Sequence, residues 1–330
     1  MRNPLLALKL ILQELRDNGR LLMQQASMIS DRLATIEQRL IGIEQGLTAS
    51  SEETPYHYRT AIPLRFSYLE RSDNQLILAS THDYGYFSCL STILWDLITC
   101  SNYGSKPALI SCKNGMKDFK DQAELDLFQI HFSPPDKQSL QSIPICKNLP
   151  IPAHHGDYRC LDLERLKPFL EAYFRPLKRI EHLAQKLMQK YAINPGKTIV
   201  VCYRGTDKST EVPPVPAEEY LLKAEDILDQ HPGLRVLVQT DQKQIRDYLL
   251  ESLGEKAFAV DELPVTEGDA AIHFCLDHGK QDFADHLLAI NLIMAKACWV
   301  ITHTGNVAFW TVLLRGHCER VVQFGALDEP

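Results

Sequence analysis

The sequence predicts an α/β protein: two Rossmann-like domains, each a sheet flanked by helices, preceded by a coiled-coil helix. Three observations carry this expectation. From residue 193 to residue 330, β-branched apolar runs alternate with segments of helical spacing, the pattern of a parallel sheet with helical crossovers. Between Gln75 and Ser111 the same alternation occurs once, as strand, helix and strand, at the length a β-α-β crossover needs. Over residues 1–48 apolar side chains recur in steps of four and three, as in a heptad seam. The boundaries expected are a coiled-coil oligomerisation helix over 1–48, a polar linker over 49–59, an N-terminal domain over 60–192 and a C-terminal domain over 193–330.

Composition narrows the function classes. The chain has 330 residues, is 45% hydrophobic and 23% charged, which is ordinary for a folded protein with a sizeable core. A net charge of −7 argues against a general nucleic-acid binder, because neutralising phosphates needs a basic surface. Nine scattered cysteines with no C-x-x-C pair read as buried free thiols in a reducing compartment rather than disulfides or a zinc site. The apolar residues near the N-terminus are interrupted by Lys9, Glu14, Arg16 and Asp17, too charged for a transmembrane segment. The expected location is cytoplasmic, with this end a candidate for peripheral contact with a membrane.

In the first 48 residues Leu33, Leu40 and Leu47 fall at heptad position a, and Ile29, Ile36 and Ile43 at d. Leucine at a with isoleucine at d favours trimers or tetramers, so a homo-oligomer through residues 22–47 is expected; the alternative is a long helix folded back on its own domain. Gln75–Ser80 reads as a strand, Cys89–Cys100 as a helix capped by Ser88, and Pro107–Ser111 as a second strand. Tyr84 and Gly85 stand at the turn into that helix, whose N-terminus could meet an anion or a sugar hydroxyl. The proline-rich stretch Ser133–Asp157 reads as irregular. Its His154-His155 pair carries no metal expectation, since neighbouring side chains on a strand point apart and no further ligand follows at metal spacing. Leu161–Tyr191 reads as helical and broken at Pro176.

The C-terminal domain then reads as strand Thr198–Tyr203, helix Ala217–Asp229, strand Arg235–Gln239, helix Lys243–Leu253 and strand Ala257–Val260. Helix Phe283–Lys296, strand Trp299–Thr302, helix Val307–Leu314 and strand Arg320–Phe324 follow. Ligands of open α/β sheets bind at the carboxyl ends of strands. There the first strand delivers Arg204-Gly205-Thr206-Asp207-Lys208 and Glu211, the second Thr240-Asp241, and the last long one His303-Thr304-Gly305-Asn306. That set suggests an anionic substrate. Neither G-x-G-x-x-G nor a P-loop is present.

Taken together, these strand ends resemble the fucosyltransferases of the GT-B superfamily, the group of the α1,6-fucosyltransferases, the nodulation fucosyltransferases and, more distantly, the protein O-fucosyltransferases. Tyr203-Arg204-Gly205-Thr206-Asp207-Lys208 resembles the family's first motif, Pro216-Ala217-Glu218-Glu219-Tyr220 the opening of its next helix, Gln239-Thr240-Asp241 the second motif, and Thr302–Val307 the third. The resemblance covers Ile193–Gly316 and, upstream, little beyond Tyr84-Gly85-Tyr86.

What the resemblance implies is a GT-B-like pair of domains facing a cleft, and an inverting transfer of fucose from GDP-fucose, or a similar nucleotide sugar, to a hydroxyl of a glycan acceptor. It implies no metal and no other cofactor. Arg204 would hold the β-phosphate and the amides of Thr304, Gly305 and Asn306 would donate to it, with Thr240, Asp241, His303, Tyr84 and Gly85 as further donor contacts. Glu211 is the candidate base, with Asp207, Glu218 and Glu219 as rivals; Lys208 completes the catalytic set. His303 is equally placed to be a surface residue, and Asp241 to be a helix N-cap.

The sequence departs from the family at three points. Glu211 stands three residues beyond Lys208 instead of four; Leu288-Ala289-Ile290 stands where the family has an acidic contact to guanine, with Asp285 and His286 one turn earlier; and Cys202-Tyr203 replaces histidine and valine. The competing expectation is a catalytically inactive scaffold of the same fold, assembled through the coiled coil, that binds a glycan or a partner.

Overall fold

The computed structural model describes residues 62–145, 148–205, 212–267 and 272–326, all within one compact unit that begins at Ile62. The heptad seam and the linker lie outside the described residues.

Strands β1 (Ser67–Ser72) and β2 (Gln75–Ser80) form an antiparallel hairpin. Its two-residue turn, Asp73-Asn74, has φ of 48° and 63°, the left-handed pair that matches the twist of the flanking strands. Helix α1 (Tyr86–Asn102) crosses to β3 (Leu109–Ser111), which pairs with β2 in parallel. The predicted β-α-β unit is therefore present, and β1 is an addition. That strand alternates only weakly and is mostly exposed, so its sequence carries little of the period-two signal.

The N-terminal sheet stops at three strands, β1-β2-β3, one of them antiparallel. It is smaller than the Rossmann-like sheet expected for 60–192. The reason is compositional: Ser133–Asp157 holds Pro134, Pro135, Pro144, Pro150 and Pro152, and proline cannot donate to a ladder. Helix α2 (Leu127–His131) precedes this stretch, α3 (Lys137–Ser142) lies within it where an irregular course was expected, and α4 (Leu163–Tyr173) and α5 (Lys178–Lys190) follow, separated around Pro176 as expected. His154 and His155 do not diverge: their rings lie 3.8 Å apart by centroid, because the segment is not a strand.

The C-terminal sheet is the predicted one. It comprises β4 (Thr198–Tyr203), α6 (Ala217–Gln230), β5 (Arg235–Thr240), α7 (Lys243–Leu253), β6 (Ala257–Phe258), α8 (Lys280–Lys296), β7 (Trp299–His303), α9 (Asn306–Arg315) and β8 (Val321–Phe324). All five strands are parallel, in the order β6-β5-β4-β7-β8. Successive residues of β4 serve opposite faces, as the pleat requires. Ile199 and Val201 join Tyr220, Ile227 and Leu249 of α6 and α7, while Val200 and Cys202 join the larger core shared with α1, α4, α5, α8 and α9.

Helix α8 begins at Lys280, three residues before the sequence suggested. The carboxylate of Asp121 accepts the main-chain N–H groups of Lys280 and Gln281, both at 3.1 Å. This caps the helix from 159 residues away, and those bonds hold the Asp121 carboxyl below the usual carboxylate range. Of the described cysteines, Cys89, Cys100, Cys112 and Cys202 are buried free thiols, whereas Cys160 and Cys275 are exposed. Among the described residues no helix is long and apolar enough to cross a membrane.

Candidate functional site

The topology singles out one place on the C-terminal sheet. From β4 the chain steps outward to β5 and β6, then returns across the sheet to β7 on the other side of β4. The connections leaving β4 and β7 therefore run to opposite faces, and a ligand site forms between their carboxyl ends at such a switch point. Cys202 pairs with Thr302 across these strands. Two residues further on stand Arg204 on one and Thr304 on the other.

Arg204 is half-buried and turned toward β5, where Asp241 follows the strand end. Its Nε lies 3.9 Å from Asp241 Oδ2, and the Gly205 N–H reaches Asp241 Oδ1 at 3.5 Å. At that separation and exposure the pair adds little stability; its effect is to fix the direction of the guanidinium. The N-cap alternative for Asp241 does not hold. Gln242 is the N-cap of α7, and Asp241 receives Thr266 N–H on its own carbonyl at 2.8 Å. Thr240 is buried, and its Oγ1 accepts the Gln242 N–H at 3.2 Å. A Cβ at Gly205 would overlap the Gln242 side chain and approach the Tyr203 ring to 2.8 Å, so glycine keeps this strand end open. Beneath Arg204, burial pushes the Cys202 thiol up to about 11, and it stays neutral.

Across the switch point, Gly305 has φ of 145°, a conformation L side chains rarely adopt. The turn it makes is held by Tyr158, whose buried hydroxyl accepts the Gly305 N–H at 2.9 Å and donates to the Gly305 carbonyl at 3.0 Å. Thr304 N–H donates to Phe324 O at 2.9 Å as part of the sheet. Two of the three amides expected to meet a phosphate are thus already engaged. The first intrahelical bond of α9 runs from Phe309 N–H to Gly305 O, so the N–H groups of Asn306, Val307 and Ala308 precede it and carry the positive end of the helix. The donors move one step along, to Asn306 and its successors. The Asn306 side chain is occupied, its Oδ1 accepting from Ser91 Oγ of α1 at 2.7 Å; Ser91 in turn accepts Trp310 Nε1–H at 3.0 Å.

His303 is also corrected. It is buried, with Nδ1 2.9 Å from Thr304 O and Nε2 3.3 Å from Pro213 O. Both ring nitrogens face main-chain carbonyls, so His303 is not the surface residue of the alternative reading.

Asp207, Lys208 and Glu211 lie outside the described residues. Glu218 and Glu219 are exposed in the first turn of α6, where carboxylates complement the helix dipole. Tyr84 is 49% exposed and Gly85 is the N-cap of α1; Ser88, expected as the cap, instead faces His82 Nε2 at 3.3 Å. Helix α8 offers no carboxylate at the point where the family reads guanine, since Leu288, Ala289 and Ile290 are buried.

Asp285, one turn earlier, ends a buried chain of polar groups. Tyr86 Oη lies 2.6 Å from His131 Nδ1, His131 Nε2 lies 2.7 Å from Asp285 Oδ1, and Arg179 grips both Asp285 oxygens at 2.5 and 3.0 Å. Burial lowers the His131 pKa against the pull of Asp285, so the ring is neutral; it then accepts from Tyr86 and donates to Asp285. Burial opposes charge on Asp285 too, but hydrogen bonds from His131 and Arg179 outweigh it and hold the carboxyl below its ordinary range. The chain fixes the first residue of α1 to α8. Sequence reasoning missed both this network, whose bonds span 45 to 154 residues, and the Tyr158–Gly305 pair, which spans 147.

No family model matches the chain, and no curated protein matches it. Among solved structures it is similar to NodZ alpha-1,6-fucosyltransferase co-crystallized with GDP, at 14% identity and a TM-score of 0.46 over 72% of this chain and 91% of that one. Fucosyltransferase NodZ from Bradyrhizobium gives 16% identity and a TM-score of 0.44 over 72% and 92%. POFUT1 in complex with GDP-fucose gives 13% and 0.32 over 46% and 48%. Overlaps of this extent carry no argument about substrate, which rests on the residues of the site.

Proposed function

We propose that the chain is an inverting glycosyltransferase that moves fucose from GDP-fucose, or a closely similar nucleotide sugar, to a hydroxyl of a glycan. The observation that carries this reading is the arrival, at the carboxyl ends of the adjacent strands β4 and β7, of Arg204, paired with Asp241, and of the turn that opens α9. A departing diphosphate needs donors that are in place before charge develops. Arg204 supplies a two-pronged guanidinium for one phosphate. The N–H groups of Asn306, Val307 and Ala308 supply main-chain donors with the favourable end of a helix dipole behind them. In this reading those groups carry the leaving group's charge, and no metal is required.

The acceptor hydroxyl attacks the anomeric carbon from the face opposite the diphosphate, which inverts the centre. Its proton passes to a carboxylate. Glu211 is the first candidate, with Asp207, Glu218 and Glu219 the others. Lys208 belongs to the same stretch of sequence, and Thr240 ends the neighbouring strand β5.

A donor screen read by product mass tests this. The full chain is incubated with a panel of nucleotide sugars and a pool of neutral oligosaccharides, with and without a chelator. The expected result is a deoxyhexose added from the guanine donor only, unchanged by chelator and lost in Arg204→Ala. Transfer from a different nucleotide overturns the donor assignment. Nucleotide binding with no product from any donor points to the inactive scaffold instead.

A further inference from the structure

At the carboxyl end of β2 three rings pack in a row. Phe66 lies 4.5 Å from His82 and His82 lies 4.8 Å from Tyr84, centroid to centroid, with the rings tilted by 41° and 39°. The inner ring is buried, while Phe66 and Tyr84 are 41% and 49% exposed. Tyr68, in β1 two residues beyond Phe66, is a further exposed ring at 44%. Gly115 backs the cluster so closely that a Cβ there would lie 2.9 Å from the His82 carbonyl.

Polar groups border the rings. Thr81 is exposed beside Phe66 and donates its hydroxyl to the Phe66 carbonyl at 3.2 Å, and Asp83 pairs with Lys117 at 2.5 Å. Exposed ring faces edged by hydroxyl, carboxylate and ammonium groups match a sugar, whose ring faces are apolar and whose edges are hydroxyls. The three exposed rings offer roughly 250–300 Å² in all, far below the ~800 Å² per partner of a stable protein interface.

The row also lies near the switch point. His82, Tyr84 and Gly85 lead directly into α1, and Ser91 on the second turn of that helix is bonded to Asn306 at the start of α9. Five helical residues separate Ser91 from Tyr86, a rise of about 7.5 Å.

We propose that Phe66, His82 and Tyr84, extended by Tyr68, form a carbohydrate-binding shelf that seats the acceptor glycan. Phe66 and Tyr84 are the contact surfaces, and His82 is a positioning residue that sets their spacing. This moves Tyr84 from the donor side to the acceptor side of the site. The word acceptor rests on the sugar-transfer reading above; carbohydrate binding does not.

The test uses the full chain on an array of immobilised neutral oligosaccharides, comparing wild type with Tyr84→Ala, Phe66→Ala and the ring-conserving Tyr84→Phe. GDP is titrated in parallel, and each variant's melting and sedimentation are recorded. The shelf predicts glycan binding that weakens roughly tenfold in each alanine variant, the loss expected for an anchoring aromatic. Tyr84→Phe retains the binding, and GDP affinity is unchanged in all. If one alanine variant fails to fold, the other decides. No glycan bound by wild type, equal binding by the alanine variants, or a change in sedimentation in place of glycan binding each overturns the shelf. Glycan binding with the expected losses but no GDP bound by wild type keeps the shelf and removes the sugar-transfer reading. GDP bound without any glycan does the reverse.

Discussion

Tyr158→Phe removes one oxygen from the core and tests the account of the turn at Gly305. The hydroxyl accepts the Gly305 N–H at 2.9 Å and donates to the Gly305 carbonyl at 3.0 Å, and the tyrosine is 1% exposed. Without it the carbonyl keeps the Phe309 N–H as a donor, but the Gly305 N–H is left buried with no acceptor. An unsatisfied buried amide costs about 1–3 kcal/mol. For a unit of this size each kcal/mol moves Tm by roughly 2–4 °C, so calorimetry should record a fall of about 2–12 °C. The ring itself stays, so no cavity forms and the loss reads out the hydroxyl alone. A Tm within about 1 °C of wild type would mean that the turn is held by other means.

Three further outcomes follow from other parts of the fold. Burial of His82, against a smaller opposing pull from Asp83, lowers its pKa from 6.5 to about 4. The unfolded chain therefore binds the proton first as pH falls, and stability drops between pH 6.5 and 4 by roughly 2–4 kcal/mol; melting curves of wild type should show that slope, and His82→Phe should flatten it. Gly115→Ala places a Cβ 2.9 Å from two main-chain carbonyls, those of Ser80 and His82, so Tm should fall by several degrees, whereas Gly104→Ala, with open space around it but φ of 74°, should cost only the roughly 1 kcal/mol of a left-handed alanine. Asp121→Ala removes the cap of α8 and should cost about 0.5–2 kcal/mol, with faster amide exchange at Lys280 and Gln281 and little change elsewhere.

Much of the C-terminal half was legible because its signals are local. The runs Thr198–Tyr203 and Arg235–Thr240 are β-branched and end abruptly in polar residues, and their strands lie where those runs predict. Lys243–Leu253 was placed to the residue. The N-terminal sheet was less legible, since β1 is an exposed edge with weak alternation. Arg204 and the 304–306 turn follow the ends of β4 and β7, a position that sequence order alone predicts. What those groups bond to it does not predict. The N–H groups of Thr304 and Gly305 are taken by Phe324 and Tyr158, and His303 is packed between two carbonyls; each partner is set by tertiary packing that no local pattern encodes. Asp121 capping α8 and Asp285 bridging His131 and Arg179 are of the same kind.

The most direct test of the central claim is calorimetric titration of GDP, with UDP and ADP as comparisons, into wild type and Arg204→Ala. The account predicts that GDP binds wild type and that the variant loses at least roughly tenfold in affinity, as expected when a charge-assisted hydrogen bond to phosphate is removed. Asp241→Asn should weaken binding less, because it loosens the direction of Arg204 without removing it. Equal GDP affinity in wild type and Arg204→Ala, or no nucleoside diphosphate bound by wild type, would contradict the placement of a diphosphate between β4 and β7.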